Sequence, residues 1–189
     1  MATSVQLYLV LILAIYGERL VELVVSHRNV RRLLAKGGRE YGRGHFPPMA
    51  LFHALFPAAA AAEVLAFDRP FPGLLGWISL GIVFLAQGLR WWSIATLGSA
   101  WSVRVVVVPD APPVTNGPYR LLQHPNYLAV VLEVAAIPLV HGAWLTAIIA
   151  TLINIWLLTV RIPLEERVLG PRYAAAFDRH RSEPEKGAP

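Results

Sequence analysis

Three groups of residues combine chemically capable side chains with apolar surroundings. His124-Pro125-Asn126-Tyr127 opens an apolar run that later contains Glu133. Glu165 and Glu166 follow Arg161 and Pro163, and Glu18, Arg19 and Glu22 interrupt the first apolar run. Pro125 suits a first helical position, where its missing N–H would be unpaired in any case. His124 then lies at the cap, and the free N–H groups of Asn126 and Tyr127 form an electropositive helix mouth. Asn126, Val130 and Glu133 fall on one helical face, so the polar mouth continues inward to a buried acid. Such a mouth suits the carboxylate of an amino-acid-like ligand, and a buried acid suits a cation.

Each group also has a structural reading. Glu18 and Glu22 share a face and Arg19 can pair with Glu22, a self-neutralising cluster that locks helix packing. The alternative is a carboxylate lining a pocket. Pro163 can start a new helix with Glu165 and Glu166 in its first turn, where the helix dipole favours acids whatever else they do. Tyr173 and Phe177 give that helix an apolar stripe, so it reads as a C-terminal amphipathic helix. Gln87 and Arg90 precede Trp91 and Trp92, which reads as an interfacial belt with Arg90 snorkelling to head groups. Asn154 reads as an interhelical hydrogen-bond contact.

Other chemistries find little support. The 6 His are scattered without helical ligand spacing, so no metal site is expected. The absence of Cys excludes disulfides, thiolate metal sites and a cysteine nucleophile. Tyr41-Gly42-Arg43-Gly44-His45 lacks the strand–turn–helix setting of a phosphate loop.

The elements that must position these residues are membrane helices. The chain has 189 residues, 56% hydrophobic and only 15% charged. Several apolar runs approach the ~18 to 20 residues that span hydrocarbon. The fold expected is an all-α integral membrane domain of five transmembrane helices at 4–25, 47–66, 73–97, 125–140 and 143–162. The last two form a helical hairpin about His141-Gly142. Residues 26–46 read as a loop carrying Arg28, Arg31, Arg32, Lys36, Arg39 and Arg43 against Glu40. The tail adds Arg161, Arg167, Arg172, Arg179, Arg181 and Lys186, whereas 67–72 has Arg69 alone. Positive-inside counting puts these basic segments in the cytoplasm, with the N-terminus outside and the C-terminus inside. The net charge of +5 therefore belongs to cytoplasmic loops rather than to a nucleic-acid surface. The first apolar run lacks the basic start of a signal peptide and is read as retained.

The loop 98–124 holds a β-branched run at 103–108 and then a Pro-rich turn. It reads as a short β-like hairpin folding back on itself against the membrane face, able to cap a site. One domain is expected over 1–189, with three N-terminal helices in 1–97 and a catalytic half in 98–180.

Taken together, "GPYRLLQHPNYLAVVLE" and "RIPLEERVL" with the following Tyr173, separated by a membrane hairpin, resemble the catalytic half of the isoprenylcysteine carboxyl methyltransferase family. The likeness covers roughly residues 98–178 and rests on Gly117, Tyr119, His124, Pro125, Tyr127, Arg161, Glu165, Glu166, Leu169 and Tyr173. It implies a methyltransferase that binds S-adenosyl-L-methionine at the cytoplasmic face of a bacterial inner membrane. Tyr119, His124, Pro125, Asn126, Tyr127, Leu128, Glu165, Glu166 and Tyr173 would bind the cofactor. Glu133, Glu166 and Arg161 would be catalytic, and Glu18, Arg19 and Glu22 would reach a lipophilic acceptor. The implied partners are that acceptor and membrane lipid, with no nucleic acid and no metal.

Two departures bear on the acceptor. The Arg that precedes His-Pro in the family is Gln123 here, and the small Gly after Tyr127 becomes Ala129 two residues on; Glu133 further adds a negative charge where a carboxylate would be repelled. In these respects and in "ERLVELVVSHRN" the chain looks more like a bacterial branch that methylates long-chain alkylpyrones and alkylresorcinols. There the acceptor is an acidic enol or phenol, and a carboxylate would serve as base or hydrogen-bond acceptor for its hydroxyl. The alternatives are isoprenylcysteine-type carboxyl methylation, an NADPH-dependent reductase of the steroid 5-alpha type, and a small transporter using intramembrane acids as a proton path. Glu165-Glu166 argue against the reductase.

Overall fold

Five α-helices carry the fold: α1 (Ala2–Ala35), α2 (Phe46–Ala66), α3 (Leu74–Leu97), α4 (Pro125–Leu139) and α5 (Trp144–Leu169). This computed structural model describes residues 2–171, 173 and 175–177. Among the described residues three helices are long and apolar enough to cross a membrane: α2, α3 with its extension to Ala100, and α5. The other two of the five expected spans are apolar helices of a different kind. α4 has 15 residues, a length of ~22 Å at ~1.5 Å per residue, and α1 carries Glu18, Arg19 and Glu22 at mid-length.

Large apolar side chains point outward, including Trp77, Phe84 and Leu85 on α3 and Ile148, Leu152 and Trp156 on α5. Small ones point inward: Ala60, Ala86, Ser93, Ala129 and Ala143 are fully buried. This is how membrane helices pack, since small residues let backbones approach while lipid accepts the large ones. At Gly76 a Cβ would meet the Phe71 ring at 2.5 Å and the Val140 carbonyl oxygen at 2.9 Å.

α1 continues as helix through 26–35, which the charge run marks as loop. The reason is docking. Asn29 Nδ2 donates to the carbonyls of Gly98 at 3.0 Å and Trp101 at 2.8 Å, and the N–H of Val103 donates to Ser26 Oγ at 3.0 Å. The polar residues of this stretch are thus ties to the segment after α3.

The β-branched run does form a strand, but it does not fold back on itself. β2 (Val105–Val107) pairs antiparallel with β1 (Arg39–Tyr41), in the register Arg39↔Val107, Glu40↔Val106 and Tyr41↔Val105. Pro109, Pro112 and Pro113 lack the N–H groups a returning strand would need, whereas the turn at Gly37-Gly38 presents 39–41 alongside. Gly38 permits that turn, because a Cβ there would lie 2.6 Å from the Leu33 carbonyl oxygen.

The hairpin of α4 and α5 forms as expected, closed by the Ala143 N–H on the Pro138 carbonyl at 2.9 Å and by Gly142 at φ +70°. α5 then runs unbroken through Pro163. No new helix starts there, so Glu165 and Glu166 lie near the C-terminal end of α5, where the dipole opposes acids. Gly170 at φ +75° ends the helix. In the short helical stretch beyond, the Tyr173 and Phe177 rings sit 4.9 Å apart, the shared face expected of them. Arg172, Arg179, Arg181 and Lys186 of the basic tail lie outside the described residues.

The first turn of α5 is capped from another helix. Buried Glu63 of α2 accepts from the N–H of Leu145 at 3.1 Å, from the N–H of Thr146 at 2.7 Å and from Thr146 Oγ1 at 2.8 Å. It also pairs with Arg69 at 3.0 Å. A carboxylate here satisfies backbone donors that an apolar environment would leave unpaired. Glu63→Ala should lower the unfolding free energy in detergent by about 2 kcal/mol, read as an earlier unfolding midpoint. An unchanged midpoint would mean that the first turn of α5 finds other acceptors.

Candidate active site

Local backbone sets the first part of the site. Gly117 adopts φ +56°, and a Cβ there would meet Thr96 Oγ1 at 2.5 Å. Only glycine fits both demands. The tight turn that follows, Gly117–Arg120, buries Tyr119. His124 then caps α4 through its backbone: its carbonyl accepts from the N–H of Tyr127 at 3.1 Å and of Leu128 at 3.2 Å. Of the two N–H groups expected to be free at this mouth, that of Tyr127 is therefore consumed, and the anion-binding capacity is smaller than the sequence suggests.

α5 completes the wall. The Tyr127 hydroxyl donates to Glu165 and accepts from Arg161 Nε at 2.8 Å. Arg161 Nη2 in turn donates to the Val103 carbonyl at 2.6 Å, tying the β2 segment to this helix. His124 Nε2 lies 3.1 Å from Glu166 Oε1, and its ring packs 5.3 Å from that of Tyr127. Asn126 Oδ1 is buried without a hydrogen-bond partner among the described residues. Burial, with neighbouring Glu165, pushes the Tyr173 hydroxyl up to about 12. Burial raises Tyr119 as well, reinforced by Tyr173 and Glu165. Both phenols stay protonated and able to donate throughout the physiological range.

A second cluster joins α1, α3 and α4. Glu133 receives Arg90 Nε at 2.8 Å on one oxygen, and Arg90 Nη2 and Arg19 Nη2 on the other, the latter at 2.6 Å. Arg19 Nη1 holds both oxygens of Glu22, at 2.8 and 2.7 Å, and Arg90 Nε lies 3.6 Å from Glu22. Two cations and two anions balance. Arg90 is thus buried in the bundle, not snorkelling to head groups. The gain from neutralising Glu22 and Glu133 inside apolar packing exceeds what an interfacial Arg would obtain. Glu18 turns aside to accept from Gln87 and Trp91.

Between the two clusters lies a cavity of about 820 Å³, roofed by β2 and the Pro-rich segment after it. Of the residues singled out in the sequence, Tyr119, His124, Asn126, Tyr127, Arg161, Glu165, Tyr173, Arg19 and Glu22 line it. Pro125, Leu128, Glu18, Glu133 and Glu166 do not. Glu133 lies behind Arg90 and Arg19, with both oxygens engaged, so it does not face the cavity as a base.

Among the lining residues that the sequence reading did not place at the site are His53, Arg90 and Asn154. Asn154 is buried with Nδ2 unpartnered among the described residues, unlike the hydrogen-bonded helix contact expected of it. A signal existed for two of them. Asn154 and Arg161, seven apart, share one face of α5, and Arg90 is a charge within an apolar run that also faces acids elsewhere.

The segment that supplies His124, Tyr127, Arg161 and Glu165 to this cavity matches a family of membrane methyltransferases. The chain belongs to the isoprenylcysteine carboxyl methyltransferase (ICMT) family, whose model matches residues 78–171. It is 34% identical over 164 residues to the uncharacterized protein YpbQ of Bacillus subtilis strain 168, across 86% of this chain and 96% of that one. It is 28% identical over 156 residues to an uncharacterized protein of Haemophilus influenzae, across 82% of this chain and 90% of that one. No solved structure matches the chain significantly.

The charge-balanced cluster makes a specific demand on stability. Arg90→Met and Glu133→Leu should each cost about 3–5 kcal/mol, since each strands a buried charge, while the double variant should recover much of that loss. Unfolding of the four proteins in mixed micelles measures the coupling. Additive losses would mean that the two residues act independently.

Proposed function

We propose that the protein is an S-adenosylmethionine-dependent O-methyltransferase acting on a lipophilic acceptor within the membrane. The observation that carries this reading is the single cavity that joins the Asn126–Tyr127 mouth of α4, the Arg161–Glu165 end of α5 and the Arg19–Arg90 cluster. One end is polar and the other has apolar walls, as a charged nucleoside cofactor and a lipid-soluble acceptor require together. The residues fit the cofactor. Asn126 Oδ1, an unpartnered buried acceptor, suits an ammonium or ribose hydroxyl donor, and Glu165 suits the same groups. The Asn126 N–H and the His124 ring suit the carboxylate end. Bound there, the cofactor would supply an electrophilic sulfonium methyl. The protein's own part is to hold the acceptor oxygen in line with it and to keep water out.

Glu133 and Glu166 take supporting roles in this reading. Glu133 positions Arg19 and Arg90, and Glu166 orients His124. Arg161 anchors the roof and the Tyr127 hydroxyl. The long-chain acidic hydroxyl of an alkylpyrone or resorcinol is the favoured acceptor. Carboxyl methylation, the activity in the family's name, is the second reading, because guanidinium groups at the cavity suit a carboxylate. The net neutrality of the Arg19–Arg90–Glu22–Glu133 set weighs against a permanently charged acceptor. Glu165 at the cavity weighs against a nucleotide phosphate there and so against the 5-alpha-type reductase, and a proton path finds the intramembrane acids Glu18, Glu22, Glu63 and Glu133 already paired with Arg or hydrogen-bonded. The five-helix, N-out arrangement with the site on the cytoplasmic face of a bacterial inner membrane belongs to the same proposal, on the basis of the positive-inside count.

Isothermal titration of S-adenosylhomocysteine into detergent-purified protein should give binding that weakens about tenfold or more, ~1.4 kcal/mol, in Asn126→Ala and Glu165→Gln. A radiolabelled methyl assay with alkylpyrones, alkylresorcinols and prenylated cysteine then separates the acceptors. A base-stable ether product supports hydroxyl methylation, whereas a base-labile ester supports the carboxyl alternative. Absence of S-adenosylhomocysteine binding by folded wild type would end the methyltransferase proposal.

A further inference from the structure

The deepest lining residue of each helix, counted toward the α4–α5 hairpin, is Tyr16 on α1, Ala54 on α2, Arg90 on α3, Val130 on α4 and Asn154 on α5. Together they form the floor of the cavity. Two of the polar side chains there are already engaged. The Tyr16 hydroxyl donates to the Ala54 carbonyl at 2.6 Å, and Arg90 Nε donates to Glu133 at 2.8 Å. Asn154 is different. It is 1% exposed, and its Nδ2 meets no acceptor among the described residues. On α5 the cavity-lining stripe runs through Asn154, Leu158, Arg161, Glu165 and Leu169, the spacing of one helical face. The amide therefore stands at the membrane end of the same face that carries Arg161 and Glu165. An amide donor without a partner in apolar surroundings is costly, so its place on a cavity wall calls for a ligand that brings the missing acceptor.

We infer that Asn154 determines which acceptor is methylated, by donating a hydrogen bond to a second oxygen on the acceptor's head group. The substrate is then a lipophilic ring compound with two oxygens, not a simple alkylphenol. The inference rests on the methyltransferase reading and deepens it. Surroundings decide between acceptor and cofactor. The stripe between Asn154 and Arg161 is apolar, with Leu157 and Leu158, and Val130 and Ala54 share the floor. A nucleoside would leave several polar groups unmatched there, whereas a ring with one further oxygen matches one amide. Distance decides that the oxygen is a second one. From residue 154 to residue 165 the axis of α5 covers ~16 Å at ~1.5 Å per residue. The oxygen that is methylated must meet the cofactor toward the Tyr127–Glu165 end, so the floor holds another.

Such a contact acts on choice. A site built to hydrogen-bond one group rejects an analogue that lacks it, because the buried donor is then left unpaired. Removing the donor should accordingly erase a preference between acceptors, whereas an amide that only packs helices together would affect every acceptor alike.

The test uses whole protein in nanodiscs and two probes with the same pentadecyl tail, an alkylresorcinol and the alkylphenol that lacks its second hydroxyl. Wild type should favour the resorcinol about 30-fold in kcat/KM. Asn154→Leu, similar in size and without a donor, should remove the preference so that the two probes react alike. Asn154→Ser keeps a donor and should retain part of it. Calorimetric titration of the resorcinol into the S-adenosylhomocysteine complex should show a matching loss of affinity in Asn154→Leu. S-adenosylhomocysteine itself should bind wild type and variants alike. Thermal unfolding certifies each fold, and Asn154→Ala replaces Asn154→Leu if the latter does not fold. An equal loss for both probes would assign the amide to packing, and weakened S-adenosylhomocysteine binding by a folded variant would assign it to the cofactor. Either result, or a wild type without preference, would overturn the inference while leaving the methyltransferase reading intact. Failure of wild type to bind S-adenosylhomocysteine would remove both.

Discussion

Two arginines and two glutamates, buried together where there is no water to solvate them, are the constraint on which the rest depends. Arg19 and Glu22 come from α1, Arg90 from α3 and Glu133 from α4. None is tolerable alone in an apolar bundle, since an unpaired buried charge costs several kcal/mol. Their mutual satisfaction fixes the rotation of three helices about their own axes, because each guanidinium must present a particular edge to a particular carboxylate. Small residues such as Ala86 and Ala129 then let α3 and α4 close on each other. The cavity is what remains on the open side of this cluster.

Much of the helix content was legible, and for a simple reason. Apolar runs of the required length can only be helices where backbone polar groups have no water to bond. The start of α4 at Pro125, just after His124, was legible as well. What did not follow was any pairing between elements distant in sequence. β1 and β2 are three residues each and lie in a charged stretch and a Pro-flanked one, too short for a period to register. Ser26 and Asn29 looked like loop residues because their partners are backbone groups, an N–H for Ser26 and carbonyls for Asn29, which carry no sequence signature. Arg90 looked interfacial because its Trp neighbours are, and only the position of Glu133 across the bundle shows otherwise. Pro163 misled in the opposite sense, since a helix with packed neighbours absorbs one missing hydrogen bond.

The division of labour inside the cavity also matters. The segment matched by the family model, 78–171, supplies Asn126, Tyr127, Arg161 and Glu165. α1 and α2 lie outside it and supply Tyr16, Arg19, Leu20, Leu23 and His53. The cavity wall is thus shared between the segment matched by the family model and the helices before it, joined through one ion cluster and one pair of short strands.

That cluster also sets a timetable for biosynthesis. α1 leaves the ribosome with Glu18, Arg19 and Glu22 in place, whereas Glu133 follows Arg19 by 114 residues. During that interval the Arg19–Glu22 pair is the nearest neutralisation α1 has, and the surplus acid must remain hydrated or protonated. α1 is made before its partners and therefore settles after them: it can adopt its final depth and rotation only when Arg90 and then Glu133 have arrived.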